Sequence, residues 1–201
     1  MSRTQDDELM IRVQQGDSSA FAELVERHQG RLKGFLLKYT RDAQLAEDLT
    51  QETLLRVYSQ AWDYLPLGRF TSWMYRIARN LLIDDHRKST RDALMHSVGQ
   101  HHATEDQSDF LQLLADDCKA PTSNLDEAEF VSVVDELIDQ LPEEQKMTFV
   151  LHHFVNLNLA EVSDILETNV STSKSRLRLA REKLQEKLHR KGMVPQHLES
   201  P

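Results

Sequence analysis

Three groups of side chains in this sequence have the types and spacing that chemistry would need. Trp62, Tyr64, Phe70 and Trp73 crowd around Pro66 and Gly68, and Arg76, Arg79, Arg87 and Lys88 follow on the next stretch. Aromatic faces stack on unpaired bases while cations neutralise neighbouring phosphates, so this mixture suits unstacked nucleic acid. The competing reading is a core whose rings close helix ends. Upstream, Asp48, Gln51 and Glu52 lie on the polar side of a helical repeat, open to a polar partner. Downstream, Thr172, Ser173, Lys174, Ser175, Arg176 and Arg178 begin a basic segment that Arg181 extends. A helix starting there would carry its first turns to base edges and phosphates in the major groove; the competing reading is a solvated amphipathic helix.

Other chemistries find little support. The sequence offers no nucleophile–base constellation, so no catalytic residues are expected. His96, His101, His102, Glu105 and Asp106 sit among Gly, Ser, Thr and Gln with weak periodicity. Metal ligands need a fixed scaffold, so a polar linker is the preferred reading, and neither metal nor cofactor is expected. His152 and His153 are adjacent and do not share a helix face; one is expected packed and one exposed. The single cysteine, Cys118, excludes an internal disulfide framework and fits a reducing cytoplasm. The amino terminus lacks an apolar signal region, and no run approaches the roughly 20 apolar residues of a membrane span. A cytoplasmic location without membrane insertion is expected.

Helices must position these groups. Gly and Pro are scarce, strands are not signalled, and long Leu/Glu/Arg/Gln-rich periodic segments dominate, which predicts an all-α fold of two helical domains joined by a flexible linker. In residues 1–90 a four-helix bundle is expected. Asp6 to Gln15 forms a short helix with acids in its first turn, stopped by Gly16. Asp17 or Ser18 caps a second helix to about Thr40, with Phe21, Leu24, Val25, Leu32, Phe35 and Leu36 inward and a bend or close contact at Gly30 and Gly34. Asp42 caps a third to about Trp62, its apolar face Leu45, Leu49, Leu55 and Tyr58. The fourth follows Gly68 to about Thr90, with Trp73, Ile77 and Leu81 in register.

Residues 91–123 read as the linker, with one brief apolar turn at Phe110–Leu114. A second domain is expected over 124–191, opened by Asn124 as N-cap and a stripe of Leu125, Ala128, Val131, Val134, Leu137, Ile138 and Leu141. Pro142 starts a new helix carrying Met147, Phe149, Val150, Leu151 and Phe154. Asn158 caps Leu159–Leu166, Glu167-Thr168-Asn169 turns the chain, and Asn169 caps a helix through Leu188. Two short helices, a tight turn and a basic second helix make a helix-turn-helix. Residues 192–201 are read as a frayed tail. The net charge of −9 is segregated: acid in Asp42–Glu52 and Glu105–Glu144, base in Arg76–Arg91 and Lys174–Lys191. One chain serving both protein and nucleic-acid partners would need that separation.

Taken together these stretches resemble the extracytoplasmic-function (ECF) sigma factors of bacterial RNA polymerase. Ala46-Glu47-Asp48-Leu49-Thr50-Gln51-Glu52 is similar to the family's AEDLxQE helix, and Trp73 to Asp84 (WMYRIARNLLID) to its WLYRIARNxxID helix. Leu141-Pro142-Glu143-Glu144-Gln145-Lys146 looks like its LPxxxR opening, and Lys174-Ser175-Arg176-Leu177 with Ala180-Arg181 like its KSRLxRAR helix. The matches keep their order from about Gln5 to Leu188. Departures fall in the second domain. Glu167 and Ser171 stand where Gly is usual, Ser173 replaces a usual Val, and Leu179 replaces a usual Arg while Arg178 comes one place early.

The resemblance implies a transcription initiation factor, not an enzyme. Asp48, Gln51 and Glu52 would dock on the clamp helices of the polymerase's largest subunit, with the flap as a further contact. Arg69, Phe70, Trp73, Arg76, Arg79 and Asn80, with Arg87 and Lys88, would grip and open the minus-ten element of promoter DNA. Lys174, Ser175, Arg176, Arg178 and Arg181, with Thr172 and Ser173, would meet the minus-thirty-five element. An anti-sigma factor is a further expected partner. The alternatives are a stand-alone helix-turn-helix regulator binding duplex DNA as a dimer, which leaves the aromatic loop and acidic helix without a role, and an all-α metal hydrolase.

Overall fold

The structure, a computed structural model, describes residues 3–93 and 127–191. They are helical with no strand among them, and the chain divides into two compact units on either side of the Thr104–Glu105 bond. The first unit holds α1 (Arg3–Gln14), α2 (Ser18–Thr40), α3 (Ala43–Ser59), a 3-10 turn (Ala61–Asp63) and α4 (Phe70–Ala93). The second holds α5 (Glu127–Asp139), α6 (Glu143–His153), α7 (Leu159–Leu166) and α8 (Val170–Arg190).

Local chemistry sets the breaks in the first unit. Gly16 takes φ 88, a left-handed conformation that ends α1 at little cost. Asp17 then accepts from the backbone N–H groups of Ser19 and Ala20, capping α2, and its other oxygen receives Arg12 Nε and Nη2 at 3.0 and 2.7 Å. Asp42 caps α3 through Gln44 N and Leu45 N. A cap of this kind is worth about 1 kcal/mol. α2 runs through Gly30 unbroken, and a Cβ there would meet nothing within 4 Å, so the close contact expected at this glycine is absent.

The core of this unit gathers Met10, Leu24, Leu32, Phe35, Leu36, Val57, Met74 and Tyr75, with the Tyr75 ring edge-on to Phe35 at 5.2 Å. On α3 the buried face is Ala46, Leu49, Thr50, Thr53 and Val57. This corrects the expected stripe, since Leu55 and Tyr58 are 63 % and 51 % exposed. Thr50 and Thr53 donate their hydroxyls to Ala46 O and Leu49 O, at 2.7 and 2.6 Å. With their polar atoms satisfied inside the helix, the threonines enter the core and turn the leucine and tyrosine outward.

In the second unit Val134, Leu137, Ile138 and Leu141 pack inward as the periodicity predicts, while the expected cap Asn124 lies outside the described residues. Pro142 occupies the N-cap of α6, one position before the first turn, so the missing N–H costs nothing. Lys146 pairs with Asp139 at 2.9 Å across that break. Asn158 and Glu161 form a reciprocal capping box on α7, and Asn169 caps α8 through Thr172 N at 2.7 Å. Between α7 and α8, Glu167 takes φ 52, the left-handed position where glycine is ordinarily preferred. Of the two adjacent histidines His153 is buried as expected, but His152 is half-buried and not exposed, its Nδ1 2.7 Å from Leu157 O.

Candidate polymerase and promoter interface

On α3, Asp48 and Gln51 are exposed and Glu52 is half-exposed, as a docking face requires. They are not unpartnered. Asp48 accepts from Gln44 at 2.9 Å, Gln51 donates to Glu47 at 3.1 Å, and Glu52 accepts from Arg56 at 2.8 Å. Glu47 is held below the ordinary glutamate range, chiefly by hydrogen bonding to Lys33, 2.8 Å away on α2. These i,i+4 pairs rigidify the acidic side chains at a few tenths of a kcal/mol each. Leu55 and Tyr58 continue the same side of the helix, giving one exposed stripe that is acidic at its start and apolar at its end.

The loop between α3 and α4 carries the aromatics. Tyr64 is buried and meets Trp73 at 4.9 Å and Phe70 at 6.0 Å between ring centres. Phe70 is only 2 % exposed and also packs on His28 at 5.2 Å. Phe70, expected at the DNA surface, is thus buried here and supports the loop from inside. Trp73 is half-buried, with Tyr64 and Phe70 against it, and Trp62, Leu65 and Leu67 stand 73 %, 68 % and 69 % exposed on the loop. At the helical advance of about 100° per residue, Arg69, Trp73, Arg76, Asn80 and Arg87 fall near one line, with the exposed Asp84 between the last two. Arg69, Asn80, Arg87 and Lys88 are exposed, and Arg76 and Arg79 are half-buried.

In the helix-turn-helix, Lys174, Ser175, Arg178 and Arg181 are exposed, and Thr172 and Arg176 are half-buried. Ser173 is fully buried, and its hydroxyl lies 2.9 Å from that of Ser163 on α7. Ser173, expected at the DNA surface, is thus an inward link between the two helices. Several cations already have partners within the unit. Arg176 pairs with Glu144 at 2.6 Å, Arg178 pairs with Glu182, and Arg181 Nη2 lies 3.1 Å from His153 Nε2. The Arg178 pair points this charge along its own helix, away from the place left by Leu179, which is 37 % exposed.

Two residues near the amino terminus escaped the sequence reading. Asp7, taken there for a helix-dipole acid, is buried and accepts from Tyr64 Oη and Gly68 N, each at 2.5 Å. Gln14 Nε2 donates to Ala61 O and Tyr64 O at 2.8 and 2.9 Å. The available signal was register: Asp7 and Gln14 sit two turns apart on the side of α1 that holds Met10. Burial, then the Asp7 carboxylate, pushes the Tyr64 phenol above its ordinary range, so it remains a donor at any working pH.

Comparison with known proteins agrees with this architecture. Residues 24–92 match the sigma-70 region 2 family and residues 132–184 the sigma-70 region 4 family. The chain is 30% identical over 186 residues to the ECF RNA polymerase sigma factor SigW of Bacillus subtilis, covering 90% of this chain and 98% of that one. It is 28% identical over 190 residues to the RNA polymerase sigma-H factor of Pseudomonas aeruginosa, covering 94% and 96%. In fold it is similar to RpoE of Bartonella quintana, solved with the anti-sigma factor NepR, at TM-score 0.67 and 20% identity over 84% of this chain and 96% of that one. CnrH, solved with the cytosolic domain of CnrY, gives TM-score 0.68 at 20% identity over 92% and 98%.

The chain belongs to the ECF family of RNA polymerase sigma factors. It is a non-enzymatic transcription initiation factor, and the stand-alone regulator is not favoured, because region 2 is matched as well as the helix-turn-helix. Among the described residues no helix is long and apolar enough to cross a membrane.

Proposed function

We propose that this sigma factor docks on the clamp helices of the polymerase's largest subunit through Asp48, Gln51 and Glu52. Arg69, Trp73, Arg76, Arg79, Asn80, Arg87 and Lys88, on or beside α4, then hold the opened minus-ten strand. Thr172, Lys174, Ser175, Arg176, Arg178 and Arg181 meet the minus-thirty-five element, with the polymerase flap against the second domain. In this reading residues 1–90 serve the first two tasks, 124–191 the third, and 91–123 link them. The supporting observation is the separation of surfaces within the first unit: an acidic stripe on α3 and an aromatic–basic line on α4. Opening DNA costs a few kcal/mol per unstacked step, which ring stacking and phosphate contacts must offset.

A cytoplasmic location follows from a partner that is itself the transcription machinery. By analogy with the Bartonella RpoE–NepR complex, an anti-sigma factor is the proposed negative regulator. Run-off transcription with core polymerase on fragments of the organism's own genome tests the function. Promoter-specific transcripts that depend on the added chain are expected. Failure to bind core polymerase would overturn the reading.

A further inference from the structure

Asp6 and Asp7 are adjacent in sequence but point about 100° apart on α1, and each has a different task. Asp6 holds α1 to α2, 3.4 Å from Arg27 Nη1 and 3.1 Å from His28 Nε2. Asp7, on the neighbouring face, grips the end of the Ala61–Arg69 loop at Tyr64 and Gly68, while Gln14 grips its beginning at Ala61 and Tyr64. Four hydrogen bonds from two side chains thus hold a segment whose own apolar groups Trp62, Leu65 and Leu67 face outward. Tyr64 is the buried anchor between them, and its ring rests on Trp73, the aromatic on the DNA-facing line of α4.

We propose that Asp7, assisted by Gln14, is a positioning residue for promoter opening: it presets the Ala61–Arg69 loop and Trp73 in the form that receives the unpaired minus-ten strand. The inference rests on the minus-ten reading above and adds residues to it, since both lie outside the span matched to region 2. The physical argument is one of order. A loop with three exposed apolar side chains and a glycine at φ 71 has many conformations of similar energy. If it froze only on meeting DNA, that ordering would be subtracted from binding, whereas a loop already tied gives nothing up. A buried carboxylate between two donors suits the task, because it does not release one partner without leaving a desolvated charge unsatisfied.

The test uses holoenzyme assembled with Asp7→Asn and, separately, with Tyr64→Phe, which keeps the ring and the Gly68 bond. The probe is the single non-template strand of a promoter recovered by run-off transcription, with a duplex upstream fragment and core polymerase as the comparison ligands. For Asp7→Asn, strand affinity should fall about tenfold while affinities for polymerase and upstream duplex stay within about twofold; Tyr64→Phe should lose less. In a Trp73→Phe background Trp62 is the sole tryptophan, and its fluorescence anisotropy in the free chain should drop on Asp7→Asn. Unchanged strand affinity with unchanged anisotropy would overturn the proposal. So would an equal fall for all three ligands, which marks a role in folding alone. Wild-type holoenzyme that fails to bind the strand would overturn the minus-ten reading, and the proposal with it.

Discussion

Arg176 reaches from α8 back to Glu144 in the first turn of α6, Nη2 to Oε2 at 2.6 Å, although the glutamate is largely exposed. A residue proposed to meet promoter DNA therefore already has a carboxylate partner within its own unit. Glu144→Gln should raise affinity for the upstream element about two- to fivefold, the range of an exposed ion pair. Titration by fluorescence anisotropy checks this, and a fall would place Arg176 away from DNA. Arg176→Ala should cost about 1–3 kcal/mol on the preferred sequence where it reads a base, and a uniform loss over all sequences would mark a phosphate contact.

Replacing Glu167 by Gly should stabilise the second unit. An L residue in the left-handed region costs about 1–2 kcal/mol, part of which glycine returns through its freer unfolded chain, leaving a gain of about 0.5–1 kcal/mol. Scanning calorimetry should record a higher transition temperature. A lower one would mean that the Glu167 side chain itself holds the turn.

Asp17 sets an acid-sensitive corner between α1 and α2. Its carboxyl is lowered from 3.8 to about 2, first by the Ser19 hydroxyl and then by Arg12. Because the folded state holds the carboxylate more tightly than the unfolded chain does, this contribution is complete above pH 3.8 and drains away as pH falls towards 2. Asp17→Asn keeps a good capping side chain without the charge. Helical circular dichroism should then show a flatter loss of stability across that window than in the wild type.

Asp48→Lys with Glu52→Lys should abolish core polymerase binding while leaving helicity intact. The intrahelical bonds given up are worth about 0.2–0.5 kcal/mol each, whereas like charges brought together at an interface cost on the order of several kcal/mol. Unchanged affinity of the double variant, measured by co-elution with core polymerase, would sink the docking assignment.

The parts of this fold that were legible in sequence are those governed by near neighbours. Asp17, Asp42, Asn158 and Asn169 all cap where their spacing predicts, because a cap needs only the next three residues. The inward face of α3 was misread because apolar count alone ranks Leu55 above Thr53, and only the hydroxyl bond to Leu49 O makes the threonine a core residue. Phe70 and Ser173 were expected at the DNA surface, and their burial was not legible because it depends on His28, Tyr64 and Ser163, which local spacing does not bring near. The register of Asp7 beside Met10 could mark it as inward but not name its partners, which lie 57 and 61 residues away. The linker histidines lie outside the described residues.

The exposed stripe on α3 carries a thermodynamic consequence. Its acidic end already holds Gln44 and Arg56, so association there would trade one set of polar partners for another and release little new charge energy. The apolar end, Leu55 and Tyr58, would instead shed ordered water, a contribution that is entropic near room temperature and grows on warming. A complex built on such a stripe would show a negative heat-capacity change in titration calorimetry and tighten over the temperatures at which exposed ion pairs gain little. Salt would tune its rate of formation more than its persistence.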